Sequence, residues 1–266
     1  MTTPKGAARA AQDSTAFRTV ARIGYVVLGI LHIVIGVIAI SIATGGGGEA
    51  DQGGALEQIR SAPMGVALLW IIAIGLLALA IWQIAEAFLE RNPDTKKKWG
   101  YRVKYLGTAA VYIAIAVTAF VYATGGQSDS SESTQSFSAQ LMATPGGVFL
   151  LVLVGLIVAA IGIAFIVRGI TRAFTKHLDL PPDPAGKGIV TFGVVGYIAK
   201  GIAIGVAGIL FIVAAVTANP EEAGGLDAAL HTLAELPFGP IILWIVGAGL
   251  IIYGLFCFAR ARYAKM

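Results

Sequence analysis

Six long apolar runs dominate the chain, and five of them contain no charged residue. The runs are Ile23–Ala43, Met64–Ala85, Tyr105–Thr124, Pro145–Val167, Ile189–Thr217 (interrupted by Lys200) and Leu236–Ala259. Each reaches the roughly 20 residues that an α-helix needs to cross a ~30 Å hydrocarbon layer. A membrane β-barrel is disfavoured because its strands would alternate strictly over segments of about ten residues. The pattern predicts an all-α protein with six transmembrane helices.

These runs and their flanking residues predict three successive two-helix repeats. The expected layout is an N-terminal tail at 1–16, repeat 1 at 17–90 with helices 17–43 and 64–89, a basic loop at 91–98, repeat 2 at 99–173 with helices 101–123 and 146–172, a loop at 174–187, and repeat 3 at 188–262 with helices 189–217 and 238–261. Helix 1 is interpreted as a retained span, because its apolar run is longer than the ~7–15 residues of a signal peptide.

An ungapped block that occurs three times supports this organisation. Aligned positions are Pro63, Pro145 and Pro237 at the start of each Pro-x-Gly, then Ala80, Gly162 and Gly254, and finally Glu86, Arg168 and Arg260. A unit with an even number of helices repeats in the same orientation, so its copies are related by an axis along the membrane normal. Three copies therefore predict a pseudo-threefold arrangement.

Short segments before the Pro-x-Gly motifs predict surface helices on the outer side. Leucines at three-to-four spacing in Leu226–Leu236 are typical of an amphipathic helix, and Ala55–Ala62 resembles it. The serine-rich segment Gln127–Ser138 is the weakest copy, and there the alternative is a flexible loop.

Charge distribution predicts the orientation in the membrane. Of 19 Lys and Arg residues, all but Arg60 and Lys200 lie at the termini or in the connections between helices 2 and 3 and between helices 4 and 5. The positive-inside rule then puts both termini in the cytoplasm. The formal net charge of +4 thus reflects topology and not a nucleic-acid partner. Lys96, Lys97 and Lys98 either bind anionic lipid headgroups or serve only as an orientation signal.

Several of these motifs resemble a known family. The motifs are Gly24-Tyr25 and Gly196-Tyr197, the Ala-Thr-Gly-Gly of Ala43–Gly46 and Ala123–Gly126, the Pro-x-Gly openers and the basic ends of the even helices. Together they resemble a bacterial membrane protein family of unknown function, common in actinobacteria, with three tandem two-helix units. The resemblance covers nearly the whole chain and implies a multi-pass protein of the bacterial inner membrane. The middle copy departs from the pattern with Lys104-Tyr105, and Glu86 replaces a basic residue.

Polar residues inside the spans are the candidates for function, because burying them in lipid is costly. His32 falls near the middle of helix 1, and the repeat register sets Tyr112 at the same level. If both face the axis with Lys200, they would bind a quinone-like headgroup or relay a proton. Alternatively, His32 only forms a hydrogen bond between packed helices. Lys200 either extends to the headgroups from near the cytoplasmic boundary or pairs with Glu86.

A second candidate group lies at the inner mouth of the repeats. Glu86, Arg168 and Arg260 share one register position and predict either a ring of ion pairs that acts as a gate or simple helix ends. No catalytic residue set, metal site or cofactor motif is recognised, because the three histidines are scattered and Cys257 is the single cysteine. Enzymatic activity is therefore not predicted.

Two hypotheses of different class follow from the sequence. The first is a non-catalytic membrane protein that assembles with other membrane proteins or binds a hydrophobic ligand or lipid. The alternative is a channel or transporter with its path along the pseudo-threefold axis. Transport sites commonly use broken helices, and the absence of an internal proline from the predicted spans weakens that alternative.

Overall fold

The computed structural model of the protein describes residues 15–90, 93–182 and 184–265, and the chain there is α-helical. The helices are α1 (Thr15–Ala43), α2 (Gln52–Ser61), α3 (Gly65–Leu89), α4 (Thr95–Ala123), α5 (Ser130–Met142), α6 (Gly147–Ile170), α7 (Pro184–Thr217), α8 (Gly225–Glu235) and α9 (Gly239–Tyr263), with short 3-10 helices at Ala173–His177 and Pro220–Glu222. Most of the predicted N-terminal tail, and Arg91 of the basic loop, lie outside the described residues.

Six helices in the described part of the chain are long and apolar enough to cross a membrane. These candidate spans are Arg22–Ala43 of α1 and the whole of α3, α4, α6, α7 and α9. The predicted all-α class with six spanning helices is thus confirmed. The cytoplasmic location of the termini stays a prediction.

The Pro-x-Gly motif has the same local structure in all three repeats. Its middle residue adopts the left-handed conformation, with φ of 61° at Met64, 77° at Gly146 and 62° at Phe238. The glycine that follows begins each even-numbered span, and a Cβ there would lie closer than 3.0 Å to a carbonyl oxygen near the end of the preceding outer helix. The motif is therefore a tight corner that only glycine fits at its third position.

All three outer segments are helical, including the serine-rich one. The expected loop alternative for Gln127–Ser138 is wrong, because Ser130–Met142 forms α5. Asp129 caps this helix by accepting a hydrogen bond from the backbone N–H of Glu132 at 2.8 Å. Leu141 and Met142 at its end pack against a buried cluster around Leu151. Capping and these few apolar contacts thus fix a helix whose composition is mostly polar.

The described residues form two compact units. The first takes in the described parts of Met1–Leu28, Ile59–Gln127 and Cys257–Met266, and the second Gly29–Gln58 and Ser128–Phe256. In the first unit α3 packs along α4, and in the second α6 packs along α7, which also contacts α8.

Small residues line the helix crossings at repeated positions. In the second unit, a Cβ on Gly155 or Gly162 of α6 would meet α7, and a Cβ on Gly247 or Gly254 of α9 would meet α1. In the first unit the aligned residues are alanines, and all are buried: Ala73 and Ala80 on α3, Ala109 and Ala116 on α4. Small side chains allow helix backbones to approach closely in lipid. Within each unit, the even span of one repeat thus packs on the odd span of another.

Candidate functional site

Two of the predicted candidate residues meet in the second unit. Nζ of Lys200 on α7 lies 2.9 Å from Nε2 of His32 on α1. His32 is buried, with 8% of its surface exposed, and lies near the middle of the span Arg22–Ala43. The prediction that Lys200 extends to the headgroups is therefore wrong, because its amine ends beside a residue at mid-span. The hydrogen bond between packed helices, the alternative for His32, is present.

Aromatic rings surround this amine. Nζ of Lys200 lies 4.6 Å from the ring centroid of Tyr253 and 5.3 Å from that of Phe165. The ring centroids of His32 and Tyr253 are 4.7 Å apart. An ammonium over aromatic faces gains cation–π attraction, which is strongest where water is excluded. Sequence reasoning missed Tyr253 and Phe165, since aromatic residues in an apolar run carry no signal that separates a functional ring from a packed one.

The geometry of Lys200 and His32 suits one shared proton. An ammonium donates to Nε2 when the imidazole is neutral and carries its hydrogen on Nδ1. The reverse arrangement, a protonated imidazole and a neutral amine, keeps the same hydrogen bond. Protonating both groups would place two positive charges 2.9 Å apart, where repulsion in a low-dielectric interior is strong. The pair is chemically able to hold and pass a single proton.

The two arginines that close the repeats each lie over a tyrosine. In the second unit the guanidinium of Arg168 is 5.9 Å from the ring centroid of Tyr197. In the first unit that of Arg260 is 4.5 Å from the ring of Tyr25. Tyr25 and Tyr197 are the tyrosines of the Gly-Tyr motifs, so the structure pairs the basic end of one repeat with the Gly-Tyr start of another. The two halves of the pattern thus form one contact.

Glu86 and Tyr112 are half-buried residues of the first unit, on α3 and α4. Their predicted roles, in a gate for Glu86 and in a ligand site for Tyr112, stay predictions.

Hydrogen bonds join the outer segments of the three repeats in the second unit. Oδ1 of Asp227 on α8 accepts from the backbone N–H of Ala50, which precedes α2, at 2.7 Å. Oγ of Ser131 on α5 donates to the carbonyl oxygen of Gly224 at 3.0 Å. Asp227 also lies 3.3 Å from Nδ1 of His231 one turn later, as their spacing predicted. Three outer helices are thus connected through side chains to backbone.

Acidic side chains crowd this outer layer. Burial raises the pKa of Asp51, the hydrogen bond from the Gly54 N–H opposes the rise, and the Asp227 carboxylate adds to it. Burial also raises the pKa of Glu49, with the nearby carboxylate of Asp129 as the next cause. Within the described part of the chain, no group of three or more His, Cys, Asp or Glu residues has a geometry that could hold a metal ion.

We expect the outer layer to become more stable on mild acidification. A group whose pKa is raised by folding stabilises the fold fully below its ordinary pKa, 3.8 for Asp51, and loses this contribution as pH rises through the folded value. The melting temperature should therefore increase as pH falls from about 7.5 toward the window just above that ordinary value. Differential scanning fluorimetry in detergent measures it.

Asp51→Asn is the matched variant for this pH effect. Its amide oxygen can still accept from Gly54, but the residue no longer titrates. The increase on acidification should be smaller than in the wild type. An identical pH profile for both proteins would contradict the assignment to Asp51.

Three stretches of the chain, 23–90, 103–172 and 195–264, match the family described as Domain of Unknown Function (DUF1206). The chain belongs to this family. It is also similar to a curated relative, the uncharacterized protein YxxB of Bacillus subtilis (strain 168), with 34% identity over 251 residues, 92% of this chain and 90% of the relative. No solved structure matches the chain.

The family repeat has the register that the sequence motifs predicted. Each matched stretch holds a tyrosine at its third position, namely Tyr25, Tyr105 and Tyr197. Each ends four residues after the charged position that closes the even helix, at Glu86, Arg168 and Arg260. The resemblance to a family of unknown function with three tandem repeats is therefore confirmed, and the DUF1206 repeat contains both partners of the arginine–tyrosine contact.

Proposed function

We propose that this multi-pass membrane protein binds a hydrophobic small molecule without transforming it, and that Lys200 and His32 hold the polar headgroup of that molecule. The observation that carries the proposal is an amine 2.9 Å from an imidazole inside two apolar spans. A charged side chain at the centre of a membrane helix costs about 2.5–3.5 kcal/mol on insertion scales. Such a residue is therefore a functional candidate by default.

The surroundings favour a flat headgroup that accepts hydrogen bonds. An ammonium supplies three donors and no acceptor. The rings of Tyr253 and Phe165 beside it are suited to stack against a planar ring. A quinone-like headgroup, with carbonyl acceptors on a flat ring and an apolar tail, combines these properties. A tail of this kind would remain among the apolar helices or in lipid.

Replacing Lys200 by methionine should remove the bound molecule while the fold is retained. Methionine keeps the length of the stem and its packing, and exchanging a buried charge for an apolar group is often neutral or stabilising. The loss of a charged hydrogen bond worth about 1.5–3 kcal/mol predicts roughly 10- to 150-fold weaker binding. Native mass spectrometry of protein extracted in polymer nanodiscs identifies and quantifies the co-purifying molecule.

Ile204→Met, one turn further along α7, is the control for the methionine side chain. It should retain the ligand at the wild-type level. A molecule retained equally by Lys200→Met, or a wild-type protein that carries no small molecule, would reject the binding proposal.

Transport is the second candidate, and the shared proton of the Lys200–His32 pair is the observation that favours it. A site that exchanges one proton at mid-span is what a proton-linked carrier requires. A wild-type protein without a ligand, but with a proton flux into liposomes that Lys200→Met abolishes, would support this function. Equal flux in both proteins would reject it.

We further propose that the protein lies in the bacterial inner membrane with both termini in the cytoplasm. The distribution of Lys and Arg supports this orientation. Next to Lys96, Lys97 and Lys98, the side chain of Trp99 is 59% exposed and lies under the guanidinium of Arg102, an arrangement suited to an interface with anionic headgroups. Only 17% of the most apolar window of α6 is buried, so lipid or another membrane protein covers that helix.

A further inference from the structure

A cavity of about 540 Å³ opens beside the start of α7 in the second unit. Its polar lining includes Arg172, Lys187 and Thr191, and its apolar lining includes Leu180, Val190 and Val194. Ligand sites typically occupy about 300–1,000 Å³, so the volume is that of a binding site. The two cationic residues and the valines come from opposite ends of the cavity wall along the chain, and α7 leads from Lys187 toward the span.

We propose that this cavity binds one anionic phospholipid, with its phosphate between Arg172 and Lys187 and an acyl chain along Val190 and Val194. The guanidinium suits a phosphate because its planar donors match two oxygens at once. The valines lie three and seven residues after Lys187, on one face of α7, and continue an apolar path from the headgroup position. This site is independent of the Lys200–His32 pair.

The backbone at Arg172 supports a role for its side chain. Arg172 follows the end of α6 in the left-handed conformation, with φ of 55°, and its N–H donates to the carbonyl oxygen of Gly169 at 3.1 Å. Glycine is the usual residue at this position after a helix, because it lacks the Cβ that makes the conformation unfavourable. The fold alone would therefore favour glycine here, whereas the arginine brings a charge to the cavity.

Nearby charges leave the segment basic. Lys176 and His177 lie in the following 3-10 helix, and Asp179 is the acidic residue between them and Leu180. Lys176 is exposed and does not belong to the cavity lining given above. It is therefore a matched position for removing one positive charge from the same segment without changing the cavity.

Lipid retention in nanodiscs tests the proposal. The full-length protein is reconstituted in phosphatidylcholine containing a minor fraction of phosphatidylglycerol, and native mass spectrometry counts the phosphatidylglycerol that stays bound. We expect one molecule on the wild type and about tenfold less retention for Arg172→Gly combined with Lys187→Gln. Lys176→Gln should retain lipid as the wild type does. The Arg172→Gly variant alone should melt at the same temperature or higher, since glycine relieves the left-handed backbone.

Three outcomes would overturn the proposal. The first is equal retention by the double variant and the wild type. The second is equal retention of phosphatidylcholine and phosphatidylglycerol, which marks unspecific lipid around the helices. The third is release of the lipid by millimolar inorganic phosphate, which marks a site for the free anion.

Discussion

Gly162→Ala should destabilise the second unit strongly, whereas Gly205→Ala on the facing helix should not. A Cβ on Gly162 would lie 2.5 Å from the backbone nitrogen of Gly205 and 2.7 Å from the carbonyl oxygen of Gly201. Backbone atoms on a packed helix cannot move aside as a flexible side chain can, so α6 and α7 must separate. Overpacking of this kind costs about 1–3 kcal/mol. Thermal unfolding in detergent, followed by circular dichroism, measures the change.

The control lies at the same crossing and makes the same chemical change. A Cβ on Gly205 would have no neighbouring atom within 4 Å. Alanine there only replaces glycine in a helix, which is favourable by about 0.5–1 kcal/mol in water. If both variants melted at the same temperature, close contact at Gly162 could not be the cause of stability at this crossing.

The spans and the repeats were predictable because they depend on local and periodic properties of the sequence. Composition alone identifies a helix that is apolar on every side. The aligned Pro63, Pro145 and Pro237 fixed the repeat register, which the family stretches reproduce. The reason for the motif became clear only with coordinates, because the left-handed middle residue and the close carbonyl are features of the corner in three dimensions.

The contact between Lys200 and His32 was not predicted, although both residues were candidates. The register sets Ile204 opposite His32 in the repeat, one turn away from the residue that makes the contact. Counting from the end of a long apolar run also misplaced Lys200, since α7 continues from Pro184 to Thr217 and is longer than a span requires. Helices that are apolar on all sides give no moment from which their rotation can be read.

The arginine–tyrosine pairs show the same limit. Both halves of the pattern were visible, the Gly-Tyr start and the basic end of the even helix. Their pairing joins different repeats, as in Arg260 with Tyr25, and so depends on which repeat packs beside which. A motif alignment compares equivalent positions and does not report contacts between unlike ones.

The outer layer depends on one carboxylate, so Asp227→Ala should destabilise it by about 1–3 kcal/mol. Oδ1 of Asp227 accepts from the Ala50 N–H at 2.7 Å, and Ala50 is fully buried, with 0% of its surface exposed. Alanine at position 227 would leave that N–H without its acceptor in a place that water does not reach, which is the costly way to lose a hydrogen bond. Hydrogen exchange at Ala50, read by mass spectrometry of the 44–58 peptide, should accelerate together with a lower melting temperature.

Asp227→Asn separates the hydrogen bond from the charge. Asparagine still offers a carbonyl oxygen to the Ala50 N–H and removes one of the carboxylates that raise the pKa of Asp51. We therefore expect near wild-type stability and slow exchange at Ala50. His231→Ala removes the other partner of Asp227 and should leave exchange at Ala50 unchanged, because an exposed His–Asp pair contributes little. Equal losses in the alanine and asparagine variants would assign the effect to the charge, and the outer helices would then be held by electrostatics and not by this hydrogen bond.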